Sequence, residues 1–131
     1  MRATKVYIFA GEFDSIKNAC VYSQKQWEPE PHDSVSDEEY EKWEKHNPTH
    51  SLKKNISSYL DEDFIETIHL DYDYLKGIEL SESDLNEVKN KTKGDNVFVL
   101  VFEDALGEFE LNSEPKSTPE LNYCGVYSCV L

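Results

Sequence analysis

The sequence predicts a single α+β domain over residues 1–131, with a mixed β-sheet of about four strands and two to four helices packed on it. Two runs of β-branched and aromatic residues, 5–10 and 96–102, lack polar alternation, as expected of strands buried on both faces. Between them, two segments carry a serine followed three residues later by Glu or Asp, which is typical of a capped helix. The chain is long enough for one domain with a core and short for two.

The first predicted elements are a strand over 5–10 and a helix over 15–24. The strand is apolar throughout and is followed by Gly11, which indicates a central position in the sheet. Asp14 is placed to cap the helix, in which apolar residues recur at helical spacing. We therefore expect this helix to lie on the first strand.

A proline-rich loop separates that helix from the next one, over 37–46. Ser36 and Glu39 match a capping box at its start. Tyr40 and Trp43 are three residues apart, a spacing that favours burial of both in one apolar stripe. The alternative is that Trp43 is a partly exposed aromatic anchor, because the rest of the helix is mostly Asp and Glu.

The middle of the chain is ambiguous, whereas the second half contains clearer signals. The apolar residues of 51–60 and of 64–70 fit either a helix or a strand. A second capped start at Ser81, with Asp84 three residues later, predicts a helix that ends before Gly94. The run 96–102 follows as the strongest strand pattern, and we expect it to pair with the first strand.

The last predicted strand covers 121–131 and has consequences for the cysteines. Simple alternation places Tyr123 and Tyr127 on one face, and Cys124 and Cys129 on opposite faces. The three cysteines lack metal-ligand spacing, so we expect reduced thiols rather than a disulfide. This strand is a candidate sheet edge that could pair with a second copy, and the sequence leaves the oligomeric state open.

Acidic residues are concentrated in the middle of the chain. Between Glu28 and Asp84 there are 17 Asp and Glu against 5 Lys, which accounts for 12 of the 14 units of net negative charge. Such a field attracts basic partners and disfavours nucleic acid and anionic lipid. No apolar run approaches the roughly 18 residues of a membrane span, and none resembles a secretion signal, so a cytoplasmic protein is expected. The part at about 28–50 is predicted to be an acidic, insert-like segment.

Motifs for catalysis are scarce in this sequence. There is no G-x-S-x-G, H-E-x-x-H, EF-hand or glycine-rich phosphate motif. His69, Asp71 and Asp73 could begin a divalent metal site, so a small metal-assisted hydrolase that uses them with a nearby Glu is one alternative. The pattern otherwise favours a protein without catalytic residues, bound metal or cofactor.

Three segments occur in a familiar order: Val6–Phe13 (VYIFAGEF), a following helix that contains Tyr22, and Tyr59–Glu66 (YLDEDFIE). Together they resemble the immunity protein 22 family of bacterial polymorphic toxin systems. The resemblance implies a small cytoplasmic protein that binds and blocks a cognate toxin and catalyses no reaction. Residues 28–48 lie outside it.

These observations predict a protein inhibitor whose acidic surface docks on a basic toxin. Enzymes that act on nucleic acid need basic surfaces, so a nuclease or a deaminase is a candidate toxin. An acidic scaffold for another basic partner is a further alternative. The residues expected to contact the partner are Glu38, Glu39, Trp43, Asp61, Asp63, Glu66, Asp71 and Asp73.

Overall fold

A computed structural model describes residues 2–107, 111 and 113–131 as an α+β domain, which confirms the predicted fold class. The strands are β1 (Ala3–Gly11), β2 (Ile65–His69), β3 (Val97–Phe102) and β4 (Asn122–Val130). The α-helices are α1 (Ile16–Ser23), α2 (Asp37–His46), α3 (Tyr72–Gly77) and α4 (Glu82–Lys91). Short 3-10 helices lie at Ser51–Lys54, Glu62–Phe64 and Glu103–Leu106. In the described part of the chain, no helix has the length and apolar character needed to cross a membrane.

The four strands form one sheet in the order β2-β3-β1-β4, and β1 pairs with β3 as expected. Each neighbouring pair is antiparallel, so the predicted mixed character of the sheet is wrong. The reason lies between β2 and β3, where α3 and α4 contact each other. Two helices return the chain to the end of the sheet at which β2 finished, whereas one crossover helix would make the strands parallel.

The sheet is covered on both faces, which explains the uninterrupted apolar run of β3. One face packs against α3 and α4 through Leu75 and Val88. The other face packs against α1 through Tyr22 and against the segment after α2 through Leu52 and Ile56. Every residue of β3 is buried between these two layers.

The pairing of β1 with β4 contains a bulge that changes which side chains share a face. The register shifts between Ile8, which faces Gly125, and Phe9, which faces Tyr123, so Cys124 is an extra residue. Tyr123 therefore packs with one core cluster and Tyr127 with the other, contrary to the prediction from alternation. Cys124 and Cys129, expected on opposite faces, are both buried in the cluster that contains Tyr127. Gly125 has a φ of 141°, a backbone conformation that favours glycine.

The helix starts agree with the capping signals, with one displacement. The hydroxyls of Ser36 and Ser81 accept the backbone N–H three residues later, as the capping boxes predict. For α1 the capping residue is Ser15 and not Asp14, because the Ser15 hydroxyl accepts the Asn18 N–H at 3.1 Å. The two ambiguous segments resolve into the 3-10 helix at Ser51–Lys54 and the strand β2.

A buried asparagine ties together the segments on the α1 face of the sheet. Asn55 Oδ1 accepts the Tyr22 hydroxyl at 2.6 Å, and Asn55 Nδ2 donates to the carbonyls of Lys116 at 2.9 Å and Leu121 at 3.0 Å. These bonds fix the end of α1 and the 3-10 helix at Ser51–Lys54 against the chain that enters β4. The acidic insert leaves and rejoins the domain between those two fixed segments.

Candidate protein-binding surface

The acidic insert is an arm, defined here as residues 27–48, that leaves the domain after α1 and returns before the 3-10 helix at Ser51–Lys54. Its base is closed by Gln26 and Thr49, which exchange two backbone hydrogen bonds of 2.8 and 2.9 Å. Every hydrogen bond, ion pair and ring contact recorded for residues 27–46 stays within residues 27–47. The arm is therefore an excursion from the fold rather than one of its layers.

The arm is held in shape by hydrogen bonds around Asn47, its one buried residue. The Asn47 side chain accepts the Glu28 N–H at 2.8 Å and donates to the Trp43 carbonyl at 3.0 Å. The indole N–H of Trp43 donates to the Glu28 carbonyl at 3.2 Å. These three bonds join α2 to the extended chain that leads into it, so the arm has an ordered shape without an apolar core.

Three aromatic rings lie together on the arm. The ring centroids of Trp27 and Trp43 are 6.0 Å apart, and those of Tyr40 and Trp43 are 5.7 Å apart. Trp27 is 61% exposed, and α2 contains no buried residue. The predicted burial of Tyr40 and Trp43 is thus wrong, and the alternative of a partly exposed Trp43 is confirmed. The spacing of three residues brings the rings of Tyr40 and Trp43 into contact with each other and does not bury them in the core of the domain.

The surroundings of these rings are strongly acidic. The arm carries eight Asp and Glu against two Lys, so its net charge is −6 with His neutral. The predicted contact residues Glu38 and Glu39 are both exposed on α2. The Glu38 carboxylate lies 3.9 Å from Lys42 Nζ, an exposed pair that contributes little stability. The Tyr40 hydroxyl donates to Glu30 Oε1 at 3.0 Å, and this bond raises the pKa of Tyr40.

The second predicted group, Asp61, Asp63 and Glu66, has a different character. The Asp61 carboxylate caps the 3-10 helix at Glu62–Phe64 by accepting the Asp63 N–H at 3.0 Å. Glu66 is half-buried in β2 and accepts the Tyr74 hydroxyl from α3. The pKa of Tyr74 is raised mainly by burial and further by this hydrogen bond to Glu66. Two of the three carboxylates therefore hold local structure, and Asp63 is left as the exposed one.

Asp71 and Asp73 lie beyond the other end of β2. The Asp71 carboxylate caps α3 by accepting the Asp73 N–H at 2.9 Å, and Asp73 lies 3.7 Å from Lys76 Nζ. The hydrolase alternative needs these two residues and His69 in one cluster. Among the described residues, no group of three or more His, Cys, Asp or Glu is arranged to hold a metal ion.

Glu62 and His50, which the sequence did not single out, connect segment 61–63 to the base of the arm. Glu62 Oε1 accepts the backbone N–H of Lys25 at the base of the arm and lies 4.0 Å from His50 Nε2. The His50 side chain is only 3% exposed, and neither ring nitrogen has a hydrogen-bond partner in the described structure. Burial lowers the pKa of His50, since the charged form loses its hydration.

The acidic residues therefore form separate groups: those of the arm, those of segment 61–63, which reaches the base of the arm through Glu62, and Asp71 with Asp73 beyond the other end of β2. The arm combines exposed carboxylates and the exposed ring of Trp27 with a backbone held by hydrogen bonds. No family model, curated protein or solved structure matches this chain.

Proposed function

We propose that this chain is an immunity protein of the immunity protein 22 type, which neutralises a cognate bacterial toxin of basic character by binding to it and catalyses no reaction. One observation carries the proposal: the arm presents the clustered rings of Trp27, Trp43 and Tyr40 among eight carboxylates, outside the core of the domain. Aromatic anchors within a charged rim are how protein interfaces concentrate affinity and select partners.

The charge of the arm supports a basic partner. A net charge of −6 on 22 residues creates a local potential that accelerates the approach of a positive surface. A toxin that attacks nucleic acid carries such a surface to neutralise phosphates, so an acidic arm competes for the groups that the toxin needs. This reasoning extends to any basic toxin, and a nuclease is its simplest case.

The helix α2, which carries many of these carboxylates, is not destabilised by their negative charge. Asp37, Glu38 and Glu39 occupy the first turn of α2, where the helix dipole favours negative charge, and Lys45 lies in the last turn. The carboxylates can therefore be exposed at this end of α2 without unfolding it, and the weak contact of Glu38 with Lys42 leaves them accessible to a partner.

The direct test is co-expression with the product of the adjacent upstream gene in a bacterial host. The chain is expected to restore growth when that product is induced and to co-purify with it. If growth is not restored and the two proteins do not co-purify, the immunity assignment is wrong.

The contribution of the arm is tested with a matched pair of charge reversals. Glu38→Lys with Glu39→Lys changes the arm, while Glu12→Lys with Glu120→Lys makes the same charge change on exposed residues at the opposite end of the sheet. The arm reversal is expected to slow association at least tenfold, and the control reversal to slow it far less. An association rate that is equal for the two variants, or that does not fall as salt rises, contradicts docking through the arm.

A further inference from the structure

We propose that the arm takes an arginine side chain of its partner, with the guanidinium stacked on the exposed indole of Trp27 and its N–H groups donated to carboxylates of the arm. The inference rests on the proposed function in that the partner is a basic protein, and it adds the chemical group that is recognised. It concerns a surface of Trp27, Trp43 and Tyr40 with the acidic residues around them.

The polar atoms of two of the three rings are already used within the arm. Trp43 Nε1 donates to the Glu28 carbonyl at 3.2 Å, and the Tyr40 hydroxyl donates to Glu30 Oε1 at 3.0 Å. The surface that these residues leave for a partner is therefore ring face rather than hydrogen-bonding edge. The face of an indole carries negative potential and attracts cations.

Trp27 is the ring best placed for such a contact. Trp27 is 61% exposed, and its ring contacts that of Trp43, whose centroid lies 6.0 Å away at an interplanar angle of 36°. This contact with Trp43 restricts the Trp27 ring, so less side-chain entropy is lost when a partner binds. An exposed tryptophan that does not help to form a core costs solubility, which a binding role offsets.

The charge of the arm decides between the possible occupants. A second copy would bring two segments of net charge −6 together, so self-association through the arm is disfavoured. A purely apolar partner would leave the carboxylates to be desolvated without a counter-charge. A cationic side chain satisfies both the rings and the acid.

Arginine fits this combination better than lysine does. Its guanidinium is planar, stacks on aromatic faces, is weakly hydrated and offers several N–H donors to carboxylates at once. Lysine presents a compact, strongly hydrated charge that gains less from a ring face. A preference for arginine at equal peptide charge is therefore the signature of this site.

The chain contains its own probe for the test. Trp27 and Trp43 are its only two tryptophans, so the tryptophan emission of the intact protein reports on the arm alone. Hexa-arginine and hexa-lysine peptides are titrated into the full chain at low and at moderate salt. The arginine peptide is expected to change the emission and to bind roughly 3- to 30-fold more tightly than the lysine peptide, the range expected for a cation–π contact.

The Trp27→Ala variant keeps Trp43 as the reporter and is expected to lose most of the arginine preference, while Trp27→Phe retains part of it. Val21→Ala, which removes an exposed apolar side chain from α1 outside the arm, is expected to leave the preference unchanged. Equal affinity for the two peptides in the intact protein overturns the inference, as does an unchanged preference in Trp27→Ala.

The peptide titration needs no toxin, so its failure is separate from failure of the immunity assignment. Growth rescue and co-purification without an arginine preference refute only the site proposed for the guanidinium. An arginine preference without rescue or co-purification refutes only the assignment to a toxin partner.

Discussion

Replacing the entire arm, Trp27–Pro48, with Asn-Gly should leave the domain folded while removing its binding to a partner. Gln26 and Thr49 exchange both of their backbone hydrogen bonds, which is the geometry of the pair that flanks a two-residue hairpin turn. Asn-Gly favours the type I′ turn that closes such a pair. The shortened connection therefore requires no rearrangement of α1 or of the 3-10 helix at Ser51–Lys54.

The expected change in the free energy of unfolding follows from what the arm contributes. Its only buried residue is Asn47, which bonds within the arm, so excision removes no residue of the core and no recorded hydrogen bond to the sheet or its helices. An isolated ten-residue helix such as α2 has a stability near zero in water. Shortening the connection from 22 residues to 2 lowers the entropy of loop closure by an amount equivalent to about 2 kcal/mol at most. The excised protein should be as stable as the parent, or more stable by up to about 2 kcal/mol.

Urea unfolding followed by far-ultraviolet circular dichroism measures this, since the excision removes both tryptophans and with them a fluorescence signal. Leu52→Ala is the matched comparison, because Leu52 follows the arm by four residues but is fully buried, and its truncation should cost about 2–5 kcal/mol. A loss of more than about 2 kcal/mol on excision, or the loss of a cooperative transition, would refute the separation of arm and core.

Three further predictions concern the domain that carries the arm. Asn55→Ala should lower the free energy of unfolding by roughly 2–4 kcal/mol, because the hydrogen bonds of this side chain to Tyr22, Thr118 and the carbonyls of Lys116 and Leu121 disappear from a buried site; a loss below about 1 kcal/mol in urea unfolding contradicts this. The pKa of His50 is lowered in the folded state, so the unfolded chain binds more protons and stability should fall as the pH drops below about 6.5, by up to about 1.4 kcal/mol per pH unit. His50→Leu should lack this component, and identical pH dependence of the two proteins between pH 7.5 and 5.5 rules it out. Burial raises the pKa of the Cys124 thiol to about 11, so a chromogenic disulfide reagent at pH 8 should modify Cys20 first in the folded protein, and equally fast reaction of Cys124 contradicts its burial.

Much of the sheet could be predicted because β1 and β3 are apolar on both faces, and only a central position in the sheet buries both. The antiparallel direction of β2 and β3 could not be predicted, because it depends on a second helix between them. That helix, α3, has six residues and is too short for apolar periodicity to reveal. Its one local signal is the Asp71 cap. The bulge had a signal as well, since Gly125 interrupts an otherwise regular strand.

The candidate surface was predictable in its charge and in its position along the chain, but not in its construction. The cluster of Trp27 with Trp43 joins residues 16 apart in sequence and depends on the hydrogen bonds that close the arm at Gln26 and Thr49. Periodicity within one helix cannot anticipate a ring contributed by the chain before it. The periodicity of α2 therefore led to the wrong prediction that Trp43 is buried in the core, although α2 contains no buried residue.

The acidic residues differ in how far the fold depends on them. Asp61 and Asp71 cap short helices and Glu66 binds Tyr74, so their substitution changes stability as well as charge. The recorded side-chain contacts of the arm carboxylates, such as that of Glu30 with Tyr40, stay within the arm, so their substitution is expected to leave the sheet and its helices unchanged. Selection for a particular partner can therefore act on the arm while the sheet and its helices stay constant. A loss of binding after substitution of Asp61 measures folding and recognition together, whereas a loss after substitution of the exposed Glu38 measures recognition without a change in the core of the domain.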